Sequence, residues 1–315
     1  MQTAYRPTNT PADRPTNTKK RQRSFFYRLI SSWKIYLALL PTFVVLGVLS
    51  YYPAFSGLYH AFFDWRPGFD SPFVGFQNFA DLLKNSVFTR SFFNIARYFI
   101  FGITIAWIIP FLTARMVLTL PSKRWQLFFR TTLIFPMAFP IVVVFFLWSF
   151  LYEPNIGLIN TFLHTLHLNA LARNWLGDPN IALYSLMFIG APWIASTPFL
   201  IFMAGLQAIP SELFDAAAID GAGWWRCIFF IDLPMLGGQF RLLFVLAIIS
   251  FIQLAIPMAL LTNGGPAYAT MTPALYMINT AFVDSEWGSA AAISGLIFVI
   301  TLALSLIVLR VQRSK

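Results

Sequence analysis

Six times along this chain about 20 mainly apolar residues run together, near 35–55, 92–114, 132–152, 181–206, 242–261 and 288–309. That is the length an α-helix needs to cross a hydrocarbon core of roughly 30 Å. Inside lipid every backbone amide must be satisfied within its own segment, so a chain with this pattern folds as membrane-spanning helices. The 315 residues are 58% hydrophobic and only 11% charged, a balance poorly suited to a water-soluble domain of this size. The expected fold is therefore an all-α membrane protein of six transmembrane helices.

Lys and Arg give the orientation, because positive residues are retained on the cytoplasmic side during insertion. With both termini cytoplasmic, the cytoplasmic segments hold 17 of the 22 Lys and Arg residues, the outer loops hold Arg66, Lys84, Arg90 and Arg173, and Arg97 falls inside the second span. This asymmetry accounts for most of the net charge of +10 and removes the need for a nucleic-acid partner. The first span begins late and lacks a small-residue cleavage site after it, so it reads as an uncleaved anchor. The single cysteine, Cys227, excludes a disulfide or a Cys-based metal site within the chain.

Three parts follow along the chain. Residues 1–34 are rich in Pro, Thr, Asn and Arg and carry Arg-Pro-Thr-Asn-Thr twice, beginning at Arg6 and at Arg14. With little apolar surface to offset ordering entropy, they read as a disordered basic cytoplasmic tail suited to anionic lipid heads. Residues 35–310 form the six-helix domain, interrupted by a cytoplasmic loop at 208–234, and 311–315 form a cytoplasmic end. The long aromatic first outer loop, 56–91, is expected to fold against the other outer loops. His164 and His167 have the spacing of one helix face, which suits an amphipathic surface helix better than a metal site.

Pro41, Pro110, Pro136, Pro140, Pro192, Pro198 and Pro257 interrupt spans; such breaks are tolerated where helices line a cavity and also serve as packing kinks. In the last span Gly288 with Ala292, and Ala291 with Gly295, place small residues four apart, which lets another helix approach closely.

The loop at 208–234 is unlike an ordinary basic connection. Glu212 and Asp215 are expected in the first turn of a helix started by Pro210 and Ser211, where negative charge complements the free amides. Ala216, Ala217 and Ala218 leave a bare surface for a partner's groove. Asp220, Gly221, Ala222 and Gly223 supply a turn whose glycines can take positive φ. A second short helix runs from Trp224 to Ile231, and Leu233-Pro234 is expected to stop it.

This segment resembles the cytoplasmic loop of the permease subunits of binding-protein-dependent ABC importers, written Glu-Ala-Ala, three residues, Gly, nine residues, Ile-x-Leu-Pro. Asp215-Ala216-Ala217, Gly221 and Ile231-Asp232-Leu233-Pro234 match it at that spacing. The departure is Asp215, which keeps the charge but has one methylene fewer. Phe73-Val74-Gly75-Phe76-Gln77-Asn78, Gly157-Leu158-Ile159-Asn160 and Leu261-Thr262-Asn263-Gly264-Gly265-Pro266 resemble further segments of the sugar-uptake branch. The last is similar to the turn of the larger maltose permease subunit and the glycerol-phosphate permease.

The resemblance implies a type I importer permease in a bacterial inner membrane, paired with a second, unlike permease subunit. Two cytoplasmic ATPases, supplying ATP and Mg chemistry, and an external solute-binding protein complete the system. It implies an ATPase-coupling role for Glu212, Asp215, Ala216, Ala217, Asp220, Gly221, Ile231, Leu233 and Pro234. The chain has no Gly-x-x-x-x-Gly-Lys phosphate loop, so it is not itself expected to be an enzyme or to hold a cofactor.

The resemblance also sets a sugar path near the middle of the fourth and fifth spans, where stacking and hydroxyl hydrogen bonds are available from Trp193, Ser196, Thr197, Ser250 and Gln253. Interhelical packing explains each of these equally well. Arg97 either snorkels outward or faces the cavity and attracts an acidic sugar. Family members carry neutral disaccharides, glycerol-phosphate and alginate oligosaccharides, and alginate-type import is the favoured specific expectation. The rivals are a six-helix secondary transporter and a non-transporting membrane scaffold.

Overall fold

The computed structural model describes residues 33–193 and 195–311. Of the expected basic tail at 1–34 and end at 311–315, residues 1–32 and 312–315 lie outside them, whereas Trp33 and Lys34 already belong to the first helix and Val311 to the last. The chain divides into two units, Met1–Ala54 and Phe55–Lys315. In the first, helix α1 (Trp33–Leu46) has Pro41 inside it and no buried residue, and continues through a π-helical turn, Gly47–Tyr51. Helix α2 (Tyr52–His60) begins there and ends in the second unit.

The second unit is helical. Among the described residues the only β pairing is an isolated bridge between Phe63 and Phe73. Helix α3 (Gln77–Lys84) leads into α4 (Ser86–Thr119), whose start is capped by Asn85 Oδ1 accepting from the amides of Val87 and Phe88. At 34 residues α4 is much longer than the expected span at 92–114, and Pro110 sits inside it without breaking it.

Next come α5 (Lys123–Ile134), α6 (Ile141–Leu151), α7 (Leu158–Thr165), α8 (Ala182–Phe188) and α9 (Ser196–Gln207). The 208–234 loop contains α10 (Ser211–Ile219) and α11 (Trp224–Cys227). It is followed by α12 (Gly237–Ile252), α13 (Ile256–Leu261), α14 (Pro273–Phe282) and α15 (Trp287–Val311).

By length and composition four stretches can cross a membrane: Trp33–His60, Ser86–Thr119, Gly237–Leu261 and Trp287–Arg310. Two bent pairs raise the number to six if each is one span: Lys123–Ala138 with Ile141–Leu151 at 87°, and Ser196–Gln207 with Ser211–Ile219 at 71°. The expected third and fourth spans are thus not straight rods. The third bends between Phe135 and Pro140, where two prolines cannot continue the hydrogen-bond ladder. The fourth is divided between α8 and α9, with Gly190 at φ 84° and Trp193 at φ 55° in the break.

The core lies around α4, which packs against α9, α12 and α14. Toward its C-terminal end Phe111, Ala114 and Val117 meet Phe199, Phe202, Met203 and Leu206 of α9, together with Leu236 and Leu243. Gly205 makes this approach possible, because a Cβ there would run into the side chains of Leu236 and Gln239.

The first outer loop does not rest mainly on the other outer loops. It packs on α15: a Cβ on Gly288 would collide with the backbone at Phe63 and Trp65, and Asn78 Nδ2 donates to the carbonyls of Ala61 and Phe63, each at 2.9 Å. The small residues of the last span therefore receive the 58–65 segment, with Leu58 against Gly295. His164 and His167 do not share a helix face either. Helix α7 ends at Thr165, His167 takes φ 59°, and His164 Nδ1 pairs with Asn169 Oδ1 at 2.6 Å. Among the described residues no three His, Cys, Asp or Glu side chains come together as a metal-binding group.

Candidate coupling site

The 208–234 loop folds as two arms with different relations to the core. The first arm, α10, follows Pro210, whose extended ψ of 134° turns the chain out of α9. Glu212 lies in the first turn, where it complements the helix amides; Asp215 lies one turn later, not in the first turn as its spacing suggested. Helix α10 contains no buried residue. Glu212, Asp215, Ala216, Ala218 and Asp220 are exposed, Ala217 is half-buried, and Ile219 is 88% exposed.

Gly221 closes this arm. Its φ of 69° lets the Ala222 amide donate to Ala217 O at 2.8 Å while the Gly221 amide donates to Ala218 O at 3.1 Å, the paired bonds of a left-handed helix end. Gly223 does not take positive φ, standing at −74°, so the turn needs only one of its two glycines in that region.

The second arm is anchored. After Trp224–Cys227 the chain makes a π-helical segment, Ile228–Asp232, and a short helical turn, Leu233–Met235. Leu233-Pro234 does not stop the helix at Ile231, because Pro234 falls at the start of that turn, where its missing N–H costs nothing. Ile228 and Leu236 are buried in the core with Phe111, Ala114 and Val117, and Phe214, Trp224, Ile231 and Leu233 pack beside them. Trp225, Phe229 and Phe230 remain exposed. The loop therefore presents a bare helix on its first arm and is held through its second.

An ion pair ties this loop to α4. Arg115 Nε lies 2.8 Å from Asp232 Oδ2, with side chains 14% and 0% exposed. The contact joins two opposite charges that are largely withdrawn from water. Burial pushes the Asp232 carboxyl above its ordinary pKa, and Arg115 pulls it back down. The Arg115 guanidinium also lies over the Phe214 ring, 4.9 Å from its centroid. By spacing alone Asp232 is the unspecified position of Ile-x-Leu-Pro and Arg115 is one of the 22 Lys and Arg residues. An acidic residue between Ile231 and Leu233 was the available signal.

The proposed path residues are distributed differently. Trp193 donates from Nε1 to Met187 O at 3.0 Å, and its ring packs on Phe101 and Phe188. Ser196 donates to Leu133 O at 3.3 Å, which spends its hydroxyl on an interhelical bond. Thr197, Ser250 and Arg97 are exposed. Gln253 opens onto a hollow of about 680 Å³ that also takes in Ser294, Thr301 and Ser305 of α15. None of the fourth-span candidates lines that hollow. Phe251, two residues earlier, rests on Gly102 of α4, next to Phe101, against which the Trp193 ring packs.

Residues 107–314 match the family described as binding-protein-dependent transport system inner membrane component. The chain is 34% identical over 275 residues to the sn-glycerol-3-phosphate transport system permease protein UgpA of Brucella abortus, covering 86% of this chain and 91% of that protein. It is 28% identical over 329 aligned positions to the diacetylchitobiose uptake system permease protein NgcF of Streptomyces coelicolor, covering 99% and 90%. A crystal structure of a bacterial ABC transporter involved in the import of the acidic polysaccharide alginate contains a chain with the same fold, at a TM-score of 0.79 and 22% identity, covering 93% of this chain and 99% of that one. The family match over residues 107–314 sets aside both the secondary carrier and the scaffold. The chain is a multi-pass permease, and it belongs to the inner membrane components of binding-protein-dependent transport systems.

Proposed function

We propose that this chain is one half of the translocation path of an ATP-driven importer for a sugar or oligosaccharide. In this reading both termini are cytoplasmic, α10 seats in a cleft on one of two ATPase subunits, and a second, unlike permease completes the path. An external solute-binding protein delivers the solute. The observation that carries the coupling role is the contrast within the loop: an exposed Ala-rich helix on one arm and a core-anchored segment on the other. Such a construction offers a partner a groove-filling surface and a firm attachment to the spans behind it.

Support for a polyhydroxyl solute comes from the relatives, named for diacetylchitobiose and for sn-glycerol-3-phosphate. The aromatic surroundings of Trp193, and Gln253, Ser294 and Thr301 in the otherwise apolar hollow, suit stacking and hydroxyl recognition. An acidic oligosaccharide of the alginate kind is the favoured specific solute, with exposed Arg97 as its attractor. Glycerol-phosphate is the second reading, favoured by the 34% identity to UgpA. Solubilising the chain from its native membrane in mild detergent and identifying what remains bound tests the assembly. Recovery of an ATPase and a second permease is expected; a lone or purely homo-oligomeric chain overturns the reading. Binding of alginate oligosaccharides or of glycerol-phosphate to the accompanying solute-binding protein separates the two solutes.

A further inference from the structure

We propose that Arg115 is a positioning residue that locks both arms of the docking loop to the inner end of α4, so that loop and helix move as a single body when a partner displaces α10. The inference rests on reading the loop as the ATPase-docking element. Its basis is the double engagement of one side chain. Arg115 lies over Phe214 of the first arm and pairs with Asp232 of the second.

The first arm has little else to hold it, since α10 buries no residue and its inward contacts come from the half-buried Phe214 and Ala217. The second arm already has Ile228, Ile231, Leu233 and Leu236 packed into or against the core. An ion pair adds little to such an attachment in stability, because removing two charges from water offsets most of their attraction. What it adds is register. Asp232 is fully buried, and Arg115 Nε at 2.8 Å is its counter-charge. Sliding the loop along α4 would strand that carboxylate, so the buried pair penalises any displacement that does not carry α4 along.

The test uses the full complex purified through this chain, with Cys227→Ser and a reporter cysteine at exposed Ser86, the outer start of α4. The probe is a membrane-impermeant maleimide, and its labelling rate is compared with and without ATP plus vanadate. In the Arg115 background the rate should change by about fivefold or more, the low end of ordinary coupling between sites. Arg115→Ala should abolish that change while the ATPase still co-purifies, and Arg115→Lys should restore part of it. Because Arg115→Ala leaves a lone buried carboxylate, the double variant Arg115→Met, Asp232→Leu provides a neutral, well-packed comparison that should assemble and also lose the response. An unchanged response in the double variant, or no response in the Arg115 background, overturns the proposal. Failure of any ATPase to co-purify with the Arg115 chain instead overturns the coupling reading beneath it.

Discussion

Asn94, buried on α4, donates through its side-chain amide to Met271 O at 2.9 Å and to Tyr268 O at 3.2 Å. With Arg90 donating to Ala267 O at 3.4 Å, it ties the N-terminal half of α4 to the loop that follows Leu261-Thr262-Asn263-Gly264-Gly265-Pro266. Thr270 Oγ1 closes the same loop by donating to Gly265 O at 2.9 Å.

Asn94→Leu therefore removes two donors and leaves a buried carbonyl unpaired, which should cost about 1–3 kcal/mol. The measurement is thermal unfolding of the detergent-purified chain. A melting temperature equal to that of the unsubstituted chain would show that the loop is held by other contacts.

Gly288→Ala should be more damaging than its one methyl suggests. The Cβ would meet backbone atoms of Phe63 and Trp65, which cannot rotate aside as a side chain can. Overpacking of this kind costs about 1–3 kcal/mol. Limited proteolysis should cut the 64–72 stretch faster in the variant, and an unchanged digestion pattern would count against the packing described.

At Gly221 the space is open, so the backbone alone decides the outcome. Val at φ 69° should cost about 1–3 kcal/mol, whereas Asn, which tolerates left-handed backbone, should cost less. Gly221→Val is expected to insert in the membrane yet retain less ATPase on co-purification, and Gly221→Asn to retain most of it. Equal retention by both variants would remove the turn from the coupling mechanism.

Glu153 adds a pH dependence outside the spans. Its carboxylate accepts from the amides of Ile156 and Asn155, each at 2.7 Å, and the Ile156 bond foremost holds its pKa below the usual carboxylate value. A depressed pKa means that the stabilisation of this turn is present above the ordinary carboxylate pKa and is lost as pH falls through the lowered one. Amide exchange at 155–157 should therefore accelerate, beyond its intrinsic pH dependence, only in that acid range, and Glu153→Gln should remove the extra step. An identical pH profile in the two proteins would refute this.

The apolar runs were readable because lipid allows so few solutions for a backbone, and the bends in the third and fourth spans were foreshadowed by Pro136, Pro140 and Pro192. The extent of α4 was not, since polar ends such as Arg90 and Arg115 fall outside any hydropathy window yet continue the helix. Helix α10, its Gly221 turn and the exposure of Ala216 and Ala218 follow from local spacing. The pairing of Arg115 with Asp232 does not, because nothing local connects residues on separate elements. The histidine pair misled for a related reason: i,i+3 spacing means a shared face only while the helix lasts, and α7 ends between them.

The unbroken length of α4 has a mechanical consequence. At 1.5 Å per residue its 34 residues reach about 50 Å, well beyond a hydrocarbon core of roughly 30 Å. A rod longer than that core is a lever: a tilt of about 10° around its midpoint carries each tip roughly 4 Å, in opposite directions. Arg115 stands near one tip and Asn94 toward the other. One small rotation would thus draw the walls together on one side of the membrane while parting them on the other, without any change in the helix itself.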